Sequence, residues 1–296
     1  CVVLNAKSGS VPDGDAEVAC EEIRERLGKG GVDATVIPAE GEELQDAFEQ
    51  AATSDSDAMI VAGGDGTVRS ALKIALEHDK TFGVIPMGTF NLLARDLGCP
   101  LNWRKAIDAM GRAGTKTIDI AEINGEPFAC HAVAGVVPKL AIERERMREE
   151  SWLRMILRAP RRFWDVFSNI KRRYVRFVVD GQEHECDAWV VLISNNRVDN
   201  PFSYMPQRTR IDRGELAVYT ACSATRAGVF WLIAFYSLGL LGWHPEVQVY
   251  TGTEVTLDGH HDKFRMAVDG EIEQVEGPAD FTIRPGALKV LAPKAT

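Results

Sequence analysis

A chain of 296 residues with a formal net charge of −9 is long enough for one large domain or two modest ones, each burying its own core. An apolar fraction of 45% and a charged fraction of 26% exclude long disorder. The negative balance excludes nucleic acid as the default partner, because a polyanion binder presents a basic field.

In chain order, Val2-Val3-Leu4 is a short apolar strand, and Cys1 before it has no polar tether of the kind a lipidated cysteine would need. No signal peptide is expected, and the chain reads as trimmed at its start. The loop Asn5 to Asp15 leads into a helix from Ala16 to Leu27, stopped by Gly30-Gly31. Ala34–Ile37 is a second strand, and Leu44 to Ala52 a second helix. Ala58 to Ala62 is an apolar run of the kind buried on both faces of a sheet. Val68 to Glu77 is helical, Phe82–Ile85 is a fourth strand, and Leu92 to Leu97 opens another helix. This alternation predicts an α/β fold with a doubly wound, mostly parallel sheet over residues 1–122, whose ligands sit at the carboxyl ends of the strands.

From about Ile123 the pattern becomes short strands separated by turns. Candidates are Phe128–Val133, Tyr174–Val179, Cys186–Ile193, Leu216–Ala221, Val247–Tyr250, Glu254–Leu257, Phe264–Val268 and Phe281–Ile283. They predict an antiparallel, β-rich sandwich domain over 123–284, with helical inserts at about 138–173 and 225–243. No linker separates the halves, so the site is expected in the cleft between them. The six cysteines are scattered without CxxC and read as reduced cytosolic thiols, and His260-His261 reads as a polar turn.

Gly63-Gly64-Asp65-Gly66-Thr67 joins a buried strand to a helix, where glycines let the backbone approach a polyphosphate and the helix start favours an anion. Asp65 beside phosphate calls for a cation or a proton, which points to Mg²⁺ or a general base. Pro86-Met87-Gly88-Thr89-Phe90-Asn91 also lies between a strand and a helix, and Asn5-Ala6-Lys7-Ser8-Gly9 follows the first strand. The three loops should converge on one crevice.

Together with Asp269-Gly270-Glu271, and with Leu92-Leu93-Ala94-Arg95 continuing the second loop, these motifs resemble the soluble diacylglycerol kinase catalytic family, which includes bacterial lipid kinases and the sphingosine and ceramide kinases. The resemblance covers essentially the whole chain, although GGDGT alone is shared with NAD kinases. It implies a nucleotide domain, a β-rich lipid domain, ATP with Mg²⁺ in the cleft, and a last strand, Leu288 to Leu291, that returns so that 285–296 completes the first domain. Asn5, Ser8, Gly9, Gly63, Gly64, Gly66, Thr67 and Thr89 would line the ATP site. Asp269 would take the proton from the lipid hydroxyl. Asp65 and Glu271 would hold Mg²⁺, with Asp65 the reserve base. Asp269-Gly270 also reads as a plain hairpin turn.

The chain departs from the family at Arg69 and Ser70, where Asn and Glu are usual, and at Leu92, where many bacterial members have an aspartate. In Ile211-Asp212-Arg213-Gly214, Arg213 replaces an aspartate that supports a structural metal elsewhere, so no such metal is predicted here.

Residues 151–176 carry eight basic residues (Arg154, Arg158, Arg161, Arg162, Lys171, Arg172, Arg173 and Arg176) and one acid, Asp165, interleaved with aromatics such as Trp164 and Phe167. That composition suits either an interfacial helix on an anionic membrane or an amphipathic helix with a solvated basic face. The longest apolar run, Gly228 to Trp243, falls short of the roughly 20 residues a spanning helix needs. It reads as a core helix, with part of a lipid-chain pocket the sharper alternative. The expected protein is cytoplasmic and peripheral on the inner face of a membrane, acting on diacylglycerol first and on a ceramide or sphingoid base next. A homodimer is left open. The rivals are an NAD kinase and a catalytically weak lipid-binding regulator.

Overall fold

The computed structural model describes residues 1–9, 11, 15–135, 173–199, 208–221, 247–258 and 263–293. The two expected helical inserts, the basic segment up to residue 172, Cys222 and His260-His261 lie outside the described residues.

Strands apolar on both faces build the interior of a parallel sheet. β1 (Val2–Asn5) pairs in parallel with β2 (Val36–Ala39) and β3 (Ala58–Gly63), and β3 pairs in parallel with β4 (Thr81–Pro86). Helices α1 (Ala16–Lys29), α2 (Glu43–Thr53), α3 (Asp65–Glu77), α4 (Leu92–Asp96) and α5 (Trp103–Met110) connect or follow these strands. Asp15 starts α1 by accepting from the Glu17 and Val18 N–H groups, and Asn102 starts α5 through Lys105 N–H. α3 begins at Asp65, three residues before the expected Val68. Gly64 is its extended cap, so Asp65, Gly66 and Thr67 form the first helical turn, where backbone N–H groups lack helical partners.

The remaining strands are β5 (Gly114–Ile123), β6 (Glu126–Phe128), β7 (His131–Gly135), β8 (Arg173–Val179), β9 (Gln182–Ala188), β10 (Val190–Asn195), β11 (Leu216–Ala221), β12 (Val247–Gly252), β13 (Glu254–Asp258), β14 (Lys263–Val268), β15 (Glu271–Glu276) and β16 (Ala279–Ala292). One six-stranded antiparallel sheet runs β12-β11-β10-β7-β14-β15. It packs on the strands β13, β8 and β9 of the other sheet through Phe128, Phe177, Phe281, Met266, Ile193 and Val218. The architecture is the expected one, a doubly wound, largely parallel sheet joined to an antiparallel sandwich.

β16 links the two. Its first residues pair with β13, and beyond a register shift between Arg284 and Leu288 it continues along β5 and beside β4, with Val290 opposite Phe82. The parallel strands and one face of the sandwich are thus a single ten-stranded sheet.

Several strand expectations change: the second strand is Val36–Ala39 rather than Ala34–Ile37, and Phe281–Ile283 and Leu288–Leu291 lie in the one strand β16. Phe128–Val133 is two strands, β6 and β7, interrupted at Ala129-Cys130, and Cys186–Ile193 is split between β9 and β10. The five cysteines among the described residues are free thiols, and no helix there is long and apolar enough to cross a membrane.

Candidate active site

The three glycine-bearing loops are fastened to one another. Asn5 Nδ2 donates to Thr67 Oγ1 at 2.8 Å, tying the end of β1 to the first turn of α3. Met87 N–H donates to Gly63 O at 2.9 Å. A Cβ on Gly88 would lie 2.6 Å from Gly64 Cα, so the two loops touch backbone to backbone, and only glycine allows that approach. Asn91, left-handed at φ +51°, closes the second loop by accepting from Gly88 N–H and donating to Gly88 O, both at 2.8 Å. Thr89 is left exposed at the tip, as is Gly9 in the first loop. Ser8 Oγ is buried and has no hydrogen-bond partner among the described residues.

Asp65 binds the loops together electrostatically. Its Oδ2 accepts from Asn91 N–H at 2.8 Å, and its Oδ1 accepts from Leu92 N–H at 2.6 Å, which satisfies two orphan donors at the start of α4. Burial pushes the Asp65 carboxyl above its ordinary value; the Leu92 and Asn91 donors pull it down, and the nearby Asp269 charge adds to the push. Asp65 is therefore first a clamp. Its own backbone N–H is a third donor to the carboxylate.

Asp269-Gly270 is the expected hairpin turn. Joining β14 to β15, both residues have positive φ, +48° and +89°, as a two-residue hairpin requires. The Asp269 side chain is 4% exposed and sits on the interruption between β6 and β7. Its Oδ2 accepts from Ala129 N–H at 2.7 Å, and its Oδ1 from Cys130 N–H at 2.8 Å and His131 N–H at 3.0 Å. Among the described residues, one lone pair on Oδ2 is left open. Burial holds the His131 imidazole below its ordinary value, against the pull of Asp269.

Glu271 is exposed and lies over the α3 start, where a Cβ on Gly66 would overlap its carboxylate. Arg69, one turn further along α3, forms a two-pronged pair with Glu273 at 3.0 and 3.1 Å, and Lys73 pairs with Glu126 at 2.9 Å. The helix after GGDGT is thus ionically docked on β15 and β6. The structure brings Asn5, Gly63, Gly64, Asp65, Gly66, Thr67, Asp269 and Glu271 into one region.

Several residues here escaped the sequence reading. Asp96, the last residue of α4, is paired with Arg208, which is 3% exposed. Asp119 is 2% exposed, accepts from Gly214 N–H at 2.7 Å and Gly286 N–H at 2.8 Å, and so fastens the turn at 211–214 to the register shift of β16. Arg213 lies between Asp199 at 3.5 Å and Glu215 at 3.8 Å, a cation between carboxylates at the position discussed for a metal. No group of three His, Cys, Asp or Glu side chains suited to a metal occurs among the described residues. Two carboxylates, Glu271 and Asp65, still fit Mg²⁺, which takes one or two protein carboxylates and completes its shell with phosphates and water.

Residues 1–123 match the diacylglycerol kinase catalytic domain, and residues 143–292 match the YegS C-terminal NAD kinase beta sandwich-like domain. The chain belongs to the diacylglycerol kinase catalytic family. It is a lipid kinase. A diacylglycerol kinase of Staphylococcus carnosus (strain TM300) is 26% identical over 252 residues, spanning 83% of this lipid kinase and 80% of the relative. One from Mycobacterium tuberculosis (strain ATCC 25618 / H37Rv) is 27% identical over 279 residues, spanning 91% and 88%. The crystal structure of a diacylglycerol kinase from Bacillus anthracis str. Sterne shares the fold at 18% identity and a TM-score of 0.71, covering 99% of this chain and 96% of that one.

The clamp is testable in this lipid kinase. Asp65→Asn sets an amide against two backbone donors, and the expected loss is about 1–3 kcal/mol of stability in urea denaturation. Stability within 0.5 kcal/mol of the parent (about the scatter of neutral surface changes) would contradict the clamp.

Proposed function

We propose that this lipid kinase transfers the γ-phosphoryl group of ATP to a hydroxyl of a membrane lipid, diacylglycerol first and a ceramide or sphingoid base next. The observation that carries the reading is Asp269, an ordered carboxylate with one lone pair open among the described residues, held beside the glycine loop at the start of α3. In phosphoryl transfer the protein positions the acceptor and neutralises charge on the moving group, and one carboxylate takes or orients the hydroxyl proton. Asp269 is the candidate for that role.

ATP would lie along Asn5, Ser8, Gly9, Gly63, Gly64, Gly66, Thr67 and Thr89. The N–H groups of the first α3 turn, which lack helical partners, favour its phosphates, and Ser8 Oγ, without a partner among the described residues, supports an oxygen-rich ligand there. Mg²⁺, when bound, neutralises phosphate charge. Glu271 and Asp65 would hold it, with Asp65 serving the α4 start at the same time.

The NAD kinase reading retains one support, the similarity of residues 143–292 to an NAD kinase-like sandwich. Supplying radiolabelled ATP with diacylglycerol, ceramide, sphingosine or NAD separates the readings: label is expected in a lipid, diacylglycerol above the others, and label in NAD alone would reverse the assignment. Asp269→Asn is expected to lower lipid labelling by about 10²–10⁴-fold, the usual worth of a positioned base, while ATP binding persists. Near-normal turnover would remove Asp269 from the role.

Residues 151–176 support membrane attachment by composition alone, at about 1 kcal/mol per basic residue near an anionic surface. The protein is then cytoplasmic and peripheral on the inner face of the membrane. Neutralising Arg158, Arg161 and Arg162 together is expected to weaken sedimentation with anionic liposomes; unchanged sedimentation would count against this surface.

A further inference from the structure

Arg208 is a buried cation whose bonds lead to Asp269 without touching it. Its Nε donates to Asp96 Oδ2 at 3.1 Å and its backbone N–H to Asp96 Oδ1 at 3.0 Å, which neutralises the guanidinium and anchors it to the end of α4. Nη2 also donates to Asp96 Oδ2, and Nη1 donates to Asn195 O at 2.5 Å, to Ala129 O at 2.9 Å and more distantly to Cys130 O at 3.3 Å. Those two carbonyls belong to the Ala129–Cys130 and Cys130–His131 peptide groups. The N–H ends of the same two groups are the pair of donors to Asp269 Oδ1. Asn195 adds to both carbonyls, its Nδ2 donating to Ala129 O at 2.8 Å and its backbone N–H to Cys130 O at 2.9 Å.

A donor on a carbonyl polarises the peptide group and strengthens its N–H as a donor on the other side. A full positive charge does so more than a neutral donor. The same bonds fix the rotation of both peptide planes, and with it the place of the carboxylate. The other end of the pair is equally constrained, since α4 starts on Asp65 and ends on Asp96. A continuous path of hydrogen bonds therefore runs from the glycine loop, through α4 and Arg208, to the donors on Asp269.

We propose that Arg208, neutralised by Asp96, is a positioning residue that acts through the Ala129–Cys130 and Cys130–His131 peptide groups to hold the Asp269 carboxylate for the acceptor hydroxyl. The inference rests on the reading of Asp269 as the base. A lysine at 208 keeps the charge but lacks the planar fork that serves Asp96 and the carbonyls together.

Arg208→Lys is expected to lower kcat for lipid phosphorylation at least 10-fold, with KM for ATP and ATP binding within twofold of the parent. Asp96→Asn, which keeps size but loses the charge and one acceptor oxygen, is the second variant should Arg208→Lys fail to fold. It is expected to lower kcat severalfold with the same unchanged KM for ATP. Combined with Asp269→Asn, Arg208→Lys is expected to cost less than twofold in residual transfer, because the group it acts through is gone. A kcat within twofold of the parent in whichever single variant folds would overturn the proposal. So would an equal loss with and without Asp269, the mark of a purely structural residue. Near-normal turnover by Asp269→Asn alone would instead bring down the base assignment, and this inference with it.

Discussion

A carboxylate taken out of water must find donors, and in this protein the chain's own backbone supplies them. Asp65 takes the N–H groups that open α4, Asp269 takes those at the interruption between β6 and β7, and Asp119 takes those of Gly214 and Gly286. Each carboxylate fastens segments far apart in sequence. The glycine loop is set against the second loop by Asp65, and the β14–β15 turn against the middle of the chain by Asp269. The arrangement of the site depends on these contacts more than on any ion pair at the surface.

Two further features keep the halves of the molecule in one geometry. β16 runs through both, so the parallel strands and the sandwich share backbone hydrogen bonds. Across the site, Arg69 and Glu273 are only 15% and 34% exposed, which makes their pair less screened than a solvated one. Arg69 is a departure from the family pattern with a visible partner. The glycine at 66 has a matching reason, since Glu271 occupies the space a side chain would need.

Much of this was legible in the residues. Apolar runs at Val2–Leu4 and Ala58–Ala62 announced a parallel sheet, and glycine loops at strand ends announced loops that meet. Asp269-Gly270 supported two readings, a turn and a site; the turn is observed, and its left-handed backbone delivers the Asp269 carboxylate to the amides at Ala129, Cys130 and His131. β15, with four polar residues in Glu271–Glu276, gave no hydrophobic alternation to detect. The interruption at Ala129-Cys130 was hidden inside an apolar run, and its cause is a partner 139 to 140 positions away. Leu92 looked like a lost carboxylate, yet the group used there is the backbone N–H, which every residue but proline provides. Asp96 and Arg208 carried no motif at all; only the fold brings them together.

The central claim is that the start of α3 and Asp269 face one reacting phosphate. A crystal structure with a non-hydrolysable ATP analogue and Mg²⁺ tests it most directly. The account predicts the terminal phosphate over Gly64, Asp65 and Gly66, on the side of Asp269, with Glu271 in the metal's shell. A terminal phosphate bound away from the α3 start, with Asp269 facing no part of the nucleotide, would contradict it.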